Sequence, residues 1–119
     1  MREEVVRSLL LIDADPAERR LLSAVAGRAG WSVVGAADLP SAISQLQGPH
    51  GREIQAAILS SWEGDIGSLA IDQLRQIRDK LPIIVLTDSG DITLAVDAMR
   101  AGASDYLSKP LSHERLRDA

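Results

Sequence analysis

The sequence predicts an α/β protein built on a parallel sheet of five strands. Short apolar runs alternate with longer amphipathic segments along the chain, which is the pattern of repeated βαβ units. The apolar runs are continuous rather than alternating, as in strands that are buried on both faces. The chain has 119 residues, and single domains cluster near about 100–150 residues. We therefore expect one domain over residues 1–119.

Five runs have the length and the continuous apolarity of buried strands. They are Ser8–Ile12, Trp31–Ala36, Ala56–Ser60, Ile83–Thr87 and Asp105–Leu107. A helix is expected after each of them.

The first helix has a clear start signal. Asp15 can cap it, Pro16 suits its first position, and Glu18, three residues after the cap, completes a capping-box pattern. Gly27 and Gly30 are expected to end this helix, because glycine is common just past a helix terminus.

The second helix is predicted over Pro40–Gln47, and Gly48–Gly51 after it has the composition of a turn. The third is predicted over about Ile66–Lys80, where apolar residues recur at near-helical spacing.

The fourth helix is predicted to start at Asp91 as its cap, with an apolar stripe from Ile92 to Met99 and Gly102 at its end. A fifth starts near Ser112 and reaches only Ala119, which is about two turns. Helices that cover a sheet average about 11 residues, so we expect the fifth helix to be cut short in this sequence.

Composition excludes several function classes. The formal net charge is −4 and aromatic residues make up 3%, which argues against nucleic-acid binding by this domain. The chain has no cysteine, which removes disulfides, thiolate zinc sites and cysteine nucleophiles. No apolar run approaches the ~20 residues that span a bilayer, so we expect a cytoplasmic protein. His50 and His113 have no second ligand at metal-binding spacing and are expected at the surface.

Polar residues follow four of the predicted strands. Asp13 follows the first, Ser60 and Ser61 lie at the end of the third, Thr87 ends the fourth, and Lys109 follows the fifth. Because the carboxyl ends of parallel strands meet at one edge of the sheet, these side chains are expected to line one cleft.

At these residues the chain resembles the receiver domains of bacterial two-component response regulators. The matching stretches are Leu10–Pro16, Pro82–Thr87 and, most specifically, Ala98–Leu111. The resemblance covers the whole chain and is strongest to receivers at the N-terminus of DNA-binding transcription activators. It implies the flavodoxin-like fold of CheY, a three-layer (βα)5 sandwich with strand order 2-1-3-4-5.

The resemblance also implies a phosphorylation site. A receiver accepts a phosphoryl group on a carboxylate of the third strand and holds Mg²⁺ with two adjacent acids after the first. Thr87 and Lys109 stand at the positions that contact the phosphoryl oxygens, and Tyr106 stands at the position of the switch aromatic on the output face.

The chain departs from that pattern at the acceptor and at the metal site. The acceptor position falls on Ser60 if four apolar residues are counted before it, or on Ser61 if Trp62 is aligned with the bulky residue that often follows. A serine hydroxyl without an activating base is not an oxyanion near neutral pH, so the acyl-phosphate route is closed in either alignment. Ala14 replaces the second metal-binding acid and leaves Asp13 alone, so Mg²⁺ binding is expected to be weak or absent.

Asp88 is a third departure, because small residues usually follow the strand-four threonine in receivers. It can reach toward Lys109 and replace the charge of the missing acceptor, or it can face solvent and help to cap the fourth helix. A partly buried ammonium requires an opposite charge, so Lys109 is expected to pair with Asp13, with Asp88, or with both.

The predicted function is therefore a non-enzymatic, phosphorylation-independent signalling module. It would regulate a fused transcription effector through protein contacts, with a possible homodimer through the fourth helix, fifth strand and fifth helix. Two alternatives stay open: phosphorylation on a relocated acid, Glu63 or Asp65, and binding of a small ligand in the cleft.

Overall fold

The computed structural model describes residues 7–60, 64–87 and 92–109. The elements, in chain order, are β1 Arg7–Ile12, α1 Pro16–Arg28, β2 Trp31–Ala36, α2 Leu39–Gln47, a 3₁₀ turn Gly51–Glu53, β3 Ile54–Leu59, α3 Gly64–Ile77, β4 Ile83–Thr87, α4 Ile92–Arg100 and β5 Asp105–Ser108.

The five strands form one parallel sheet in the order β2-β1-β3-β4-β5. The predicted fold class and strand order are confirmed. With β3 central and β1 and β4 on either side of it, the ends of β1, β3, β4 and β5 follow one another along one edge of the sheet.

Several predicted boundaries shift. The third strand runs over Ile54–Leu59 rather than Ala56–Ser60, so Ser60 is the first residue after the strand. α3 starts and ends earlier than predicted, and the segment 78–80 forms part of the loop before β4. The cap at Asp91 and the helix from Ser112 lie outside the described residues.

The start of α1 differs from a capping box. Asp15 caps the helix, accepting a hydrogen bond from the Ala17 N–H at 3.0 Å. The Asp15 N–H, which Glu18 would bind in a capping box, instead donates to Asp13 Oδ1 at 2.9 Å. Glu18 is therefore available for another partner. Gly27 lies inside the helix and does not end it. Of these two glycines, Gly30 is the one that adopts a positive φ, of 95°.

α2 begins at Leu39 because Asp38 caps it, accepting a hydrogen bond from the Ser41 N–H at 2.9 Å. The turn after α2 depends on a close backbone approach at Gly51. A Cβ atom there would lie 1.8 Å from the Leu46 carbonyl oxygen, so only glycine fits without a backbone shift.

The core consists of two apolar layers, one on each face of the sheet. One joins the sheet to α2, α3 and α4, and the other joins it to α1. Both are built almost entirely from Leu, Ile, Val and Ala, as the low aromatic content requires. Among the described residues, no helix combines the length and the apolarity that crossing a membrane would require.

Candidate functional site

The carboxyl edge of the sheet brings together the four polar positions predicted from the strand ends. The Ser60 N–H donates to the Ile12 carbonyl at 3.1 Å, which places Ser60 beside Asp13. The Lys109 N–H donates to the Thr87 carbonyl at 2.7 Å, which places the ends of β4 and β5 side by side. Asp13, Ser60 and Thr87 are all buried, and we call this set with Lys109 the carboxyl-edge cleft.

Asp13 is 6% exposed and is fixed from two sides. Its Oδ1 accepts the Asp15 N–H, and its backbone carbonyl accepts a hydrogen bond from Nη1 of Arg19 at 2.6 Å. Its Oδ2 is buried and has no hydrogen-bond partner in the described part of the chain. The Asp15 N–H therefore orients the carboxylate, and Arg19 holds the backbone of the same residue.

The ammonium of Lys109 contacts Glu18, with 2.5 Å between Nζ and Oε1. The two side chains are 14% and 31% exposed, so the pair is only partly screened by water. Among the described residues, Lys109 pairs with Glu18 and no ion pair joins it to Asp13. Glu18, released from the capping box, projects from the first turn of α1 and supplies the carboxylate instead. Asp88, the other predicted partner, lies outside the described residues.

Thr87 is linked to Tyr106, with 2.7 Å between the threonine Oγ1 and the tyrosine Oη. Tyr106 packs partly buried against the apolar layer that contains α3 and α4. The strand-four threonine and the predicted switch aromatic are thus joined directly.

The described part of the cleft does not fit a Mg²⁺ site. Asp13 has one carboxylate oxygen engaged by the backbone, Ala14 supplies no ligand, and the carboxylate of Glu18 is bound to Lys109. Octahedral Mg²⁺ usually takes one or two carboxylates with substrate oxygens and water, so one half-engaged carboxylate is a poor set. No group of three or more metal-ligating acids or histidines occurs within residues 7–60, 64–87 and 92–109.

The remaining candidate residues fall outside the cleft or outside the described residues. His50 lies at the surface, with its Nδ1 3.7 Å from Oε1 of Glu53. Ser61, Glu63 and His113 are not among the described residues, and neither is the side chain of Asp65.

Sequence reasoning missed Glu18 and Arg19 as residues that contact the cleft. Glu18 matched a capping-box pattern at the start of α1, so nothing in the sequence indicated a distant partner for its carboxylate. No spacing rule connects it to Lys109, 91 positions later.

Comparison with known proteins gives one consistent family. The response regulator receiver domain model matches residues 9–119. The transcriptional regulatory protein DctD of C4-dicarboxylate transport from Pseudomonas aeruginosa is 36% identical over 121 residues, covering 93% of this chain and 24% of the regulator. The acid tolerance regulatory protein ActR from Sinorhizobium medicae is 35% identical over 105 residues, covering 87% of this chain and 53% of that protein.

Solved structures agree on the fold. A response regulator receiver domain protein from Clostridium thermocellum superimposes with a TM-score of 0.80 at 22% identity, covering 95% of this chain and 90% of that one. NtrX from Brucella abortus, solved with ATP, gives a TM-score of 0.78 at 26% identity, covering 94% of this chain and 25% of NtrX. The chain spans between about a quarter and about half of the two regulators named above. It belongs to the response regulator receiver domain family.

Proposed function

We propose that this receiver regulates a fused transcription effector without forming an aspartyl phosphate. The observation that carries the proposal is the placement of Ser60, which is 3% exposed and adjacent to Asp13 at the end of β3. Ser60 occupies the acceptor position in this proposal. Its hydroxyl has no histidine beside it among the described residues and cannot act as the nucleophile that a carboxylate would be.

The pair formed by Glu18 and Lys109 supports the same proposal. In a phosphorylated receiver the lysine holds a phosphoryl oxygen. Here the Lys109 ammonium contacts the Glu18 carboxylate at 2.5 Å. The carboxylate balances the lysine charge that an acceptor aspartate would otherwise balance. A phosphoryl group would have to compete with Glu18 for Lys109.

Phosphate transfer is tested by incubating the chain with acetyl phosphate and Mg²⁺ and measuring its intact mass. We expect no added phosphate. An added phosphate that hydroxylamine removes would reveal an acyl phosphate on a relocated acid such as Glu63 or Asp65, and would contradict the proposal. Ser60→Asp alone is not expected to restore transfer, because Ala14 leaves the metal pair incomplete.

Output is proposed to pass through α4 and β5 to a protein partner, with a second copy of the chain as the partner to test first. α4 exposes the apolar side chains of Ile92, Val96 and Met99. An exposed apolar stripe on one helix is typical of an interaction surface.

Sedimentation equilibrium of the chain and of Val96→Glu tests this surface. We expect a concentration-dependent dimer that the substitution dissociates. Leu21→Glu on α1, which changes an equally apolar exposed position, is the matched control and should leave the dimer intact. A parent chain that remains monomeric would contradict the dimer.

A further inference from the structure

A second concave site lies at the opposite edge of the sheet from the carboxyl-edge cleft. It is an open concavity of about 490 Å³, formed by the 3₁₀ turn, the start of β3, the end of α3 and the loop that leads into β4. We call it the amino-edge groove. Its volume falls in the range of about 300–1,000 Å³ that is usual for small-molecule sites.

The groove has an excess of positive charge. Arg52, Arg78 and Lys80 line it together with one acid, Asp79, which leaves a net charge of about +2 in a chain whose formal net charge is −4. In the part of the chain that the structure describes, no ion pair neutralises any of the three cations. Like charges gathered around one concavity attract an anion and raise its local concentration.

The carboxyl end of α3 explains only part of this charge. A helix C-terminus carries a partial negative charge that favours nearby cations such as Arg78. Arg52 belongs to the 3₁₀ turn, which approaches the groove from another segment of the chain. The end of α3 therefore does not explain why cations from two separate segments of the chain line the same groove.

The lining also has an apolar part that is already formed. Ile77 and Pro82 line the groove and keep part of their surface exposed, and the buried side chains of Ile54 and Leu81 support them from below. The Leu81 carbonyl accepts two hydrogen bonds from Arg75, from Nε at 3.2 Å and from Nη2 at 3.1 Å. The same guanidinium donates to the Gly102 carbonyl and to Ser104 Oγ, so the loop before β4 is tied to the turn before β5. This wall needs little ordering when a ligand binds, which favours affinity.

We propose that the amino-edge groove binds a small organic anion that carries at least two negative charges on an apolar frame. The charges pair with Arg52, Arg78 and Lys80, and the frame lies against Ile77 and Pro82. Phosphate and carboxylate groups share this chemistry. The proposal is independent of the phosphorylation state of the carboxyl-edge cleft.

Three probes separate the parts of the proposal in NMR titrations at constant ionic strength. Phenyl phosphate and phthalate each carry two negative charges on an aromatic ring, and inorganic phosphate lacks the ring. We expect saturable binding of at least one ring anion, with a dissociation constant of about 1 mM or lower and at least about fivefold tighter than that of inorganic phosphate. The ring anion that binds more tightly identifies phosphate or carboxylate as the preferred group. The shifted amides should be those of residues 52–55 and 77–81.

The triple variant Arg52→Gln, Arg78→Gln, Lys80→Gln should weaken binding at least about tenfold. Its matched control is Arg20→Gln, Arg28→Gln, Arg100→Gln, which removes the same charge from exposed positions outside the groove and should change binding less than about twofold. The proposal is overturned if neither ring anion saturates below about 10 mM, if inorganic phosphate binds equally well, or if both triple variants lose binding equally. The shift map of the parent chain decides the location even if a triple variant does not fold.

Discussion

The carboxylate that binds the Lys109 ammonium belongs to Glu18, which the sequence analysis assigned to a capping box. In the proposed site Lys109 takes the position of the lysine that binds the phosphoryl group in receivers, and Glu18, in the first turn of α1, forms an ion pair with it. Two local contacts make this possible. Asp15 caps α1 through its side chain, and Asp13 takes the Asp15 N–H, so Glu18 has no role left at the helix start.

Breaking this pair should destabilise the domain measurably. Exposed ion pairs contribute about 0.2–1 kcal/mol, and loss of one partner of a fully buried pair costs about 3–5 kcal/mol. With exposed fractions of 31% and 14%, Glu18→Gln and Lys109→Met should each cost about 1–2 kcal/mol in urea denaturation. The double variant should cost less than the sum, since both single changes remove the contact between Glu18 and Lys109.

Glu53→Gln is the matched control for Glu18→Gln. Glu53 faces His50 in a pair whose side chains are 61% and 82% exposed, so its loss should change stability by less than about 0.5 kcal/mol. Two results would show that Glu18 and Lys109 do not stabilise each other. One is an equal loss of stability in Glu18→Gln and Glu53→Gln, and the other is a loss in the Glu18→Gln, Lys109→Met double variant that equals the sum of the single losses.

Among the elements, α2 depends on a single charged cap. Two hydrogen bonds from Ser41 hold the pKa of Asp38 below its usual range. The bond from the backbone N–H has the larger effect and the bond from the side chain the smaller. A lowered pKa in the folded state means that the ionised carboxylate stabilises the fold above the usual pKa. This stabilisation is lost as the pH falls through the lowered value.

Asp38→Ala should therefore lower the urea midpoint at pH 7, and the difference from the parent should shrink as the pH is lowered below about 4. Asp38→Asn keeps a side-chain acceptor but removes the charge. Its difference from the parent should also shrink on acidification, while its difference from Asp38→Ala stays nearly constant. A pH-independent gap between Asp38→Ala and the parent would remove the role assigned to the carboxylate charge.

Alanine substitution should change stability in opposite directions at Gly51 and Gly27. Gly51→Ala brings a Cβ to within 1.8 Å of the Leu46 carbonyl oxygen and forces a backbone shift, which should cost about 2–4 kcal/mol. Gly27→Ala meets nothing within 4 Å and lies inside α1, so it should stabilise by up to about 1 kcal/mol. Thermal and urea denaturation of both variants check this, and a tolerated alanine at position 51 would contradict the close approach.

At the scale of the whole molecule, the fold was predictable because parallel strands buried on both faces leave a strong signal in the sequence. β2 and β4 were predicted to the residue. A continuous, fully buried Ile, Val and Leu run defines β4, whereas β2 is a partly exposed edge strand that Gly30 before it and its Val33–Val34 pair indicate. The start of β3 was less clear, because Gln55 is exposed and interrupts the apolar run. The 3₁₀ turn before β3 depends on the close approach of Gly51 to the end of α2. This contact is not visible in any local sequence pattern.

The candidate site was predictable in its positions and only partly in its contacts. Strand ends fix where Asp13, Ser60, Thr87 and Lys109 lie, because sheet topology brings them to one edge. Which carboxylate meets Lys109 depends on how competing donors at the start of α1 are satisfied. That choice is settled by three-dimensional contacts rather than by residue type.

Amide NMR spectra of the uniformly ¹⁵N-labelled chain test most directly whether the carboxyl-edge cleft works without phosphate. Spectra are recorded alone, with 10 mM Mg²⁺, and with Mg²⁺ plus beryllofluoride, which mimics a phosphoryl group on a carboxylate. If Ser60 occupies the acceptor position and Glu18 holds Lys109, the amide signals of Ser60, Thr87, Tyr106 and Lys109 should not move in a saturable manner. A saturable shift of these four signals that requires both Mg²⁺ and beryllofluoride would contradict a phosphorylation-independent receiver.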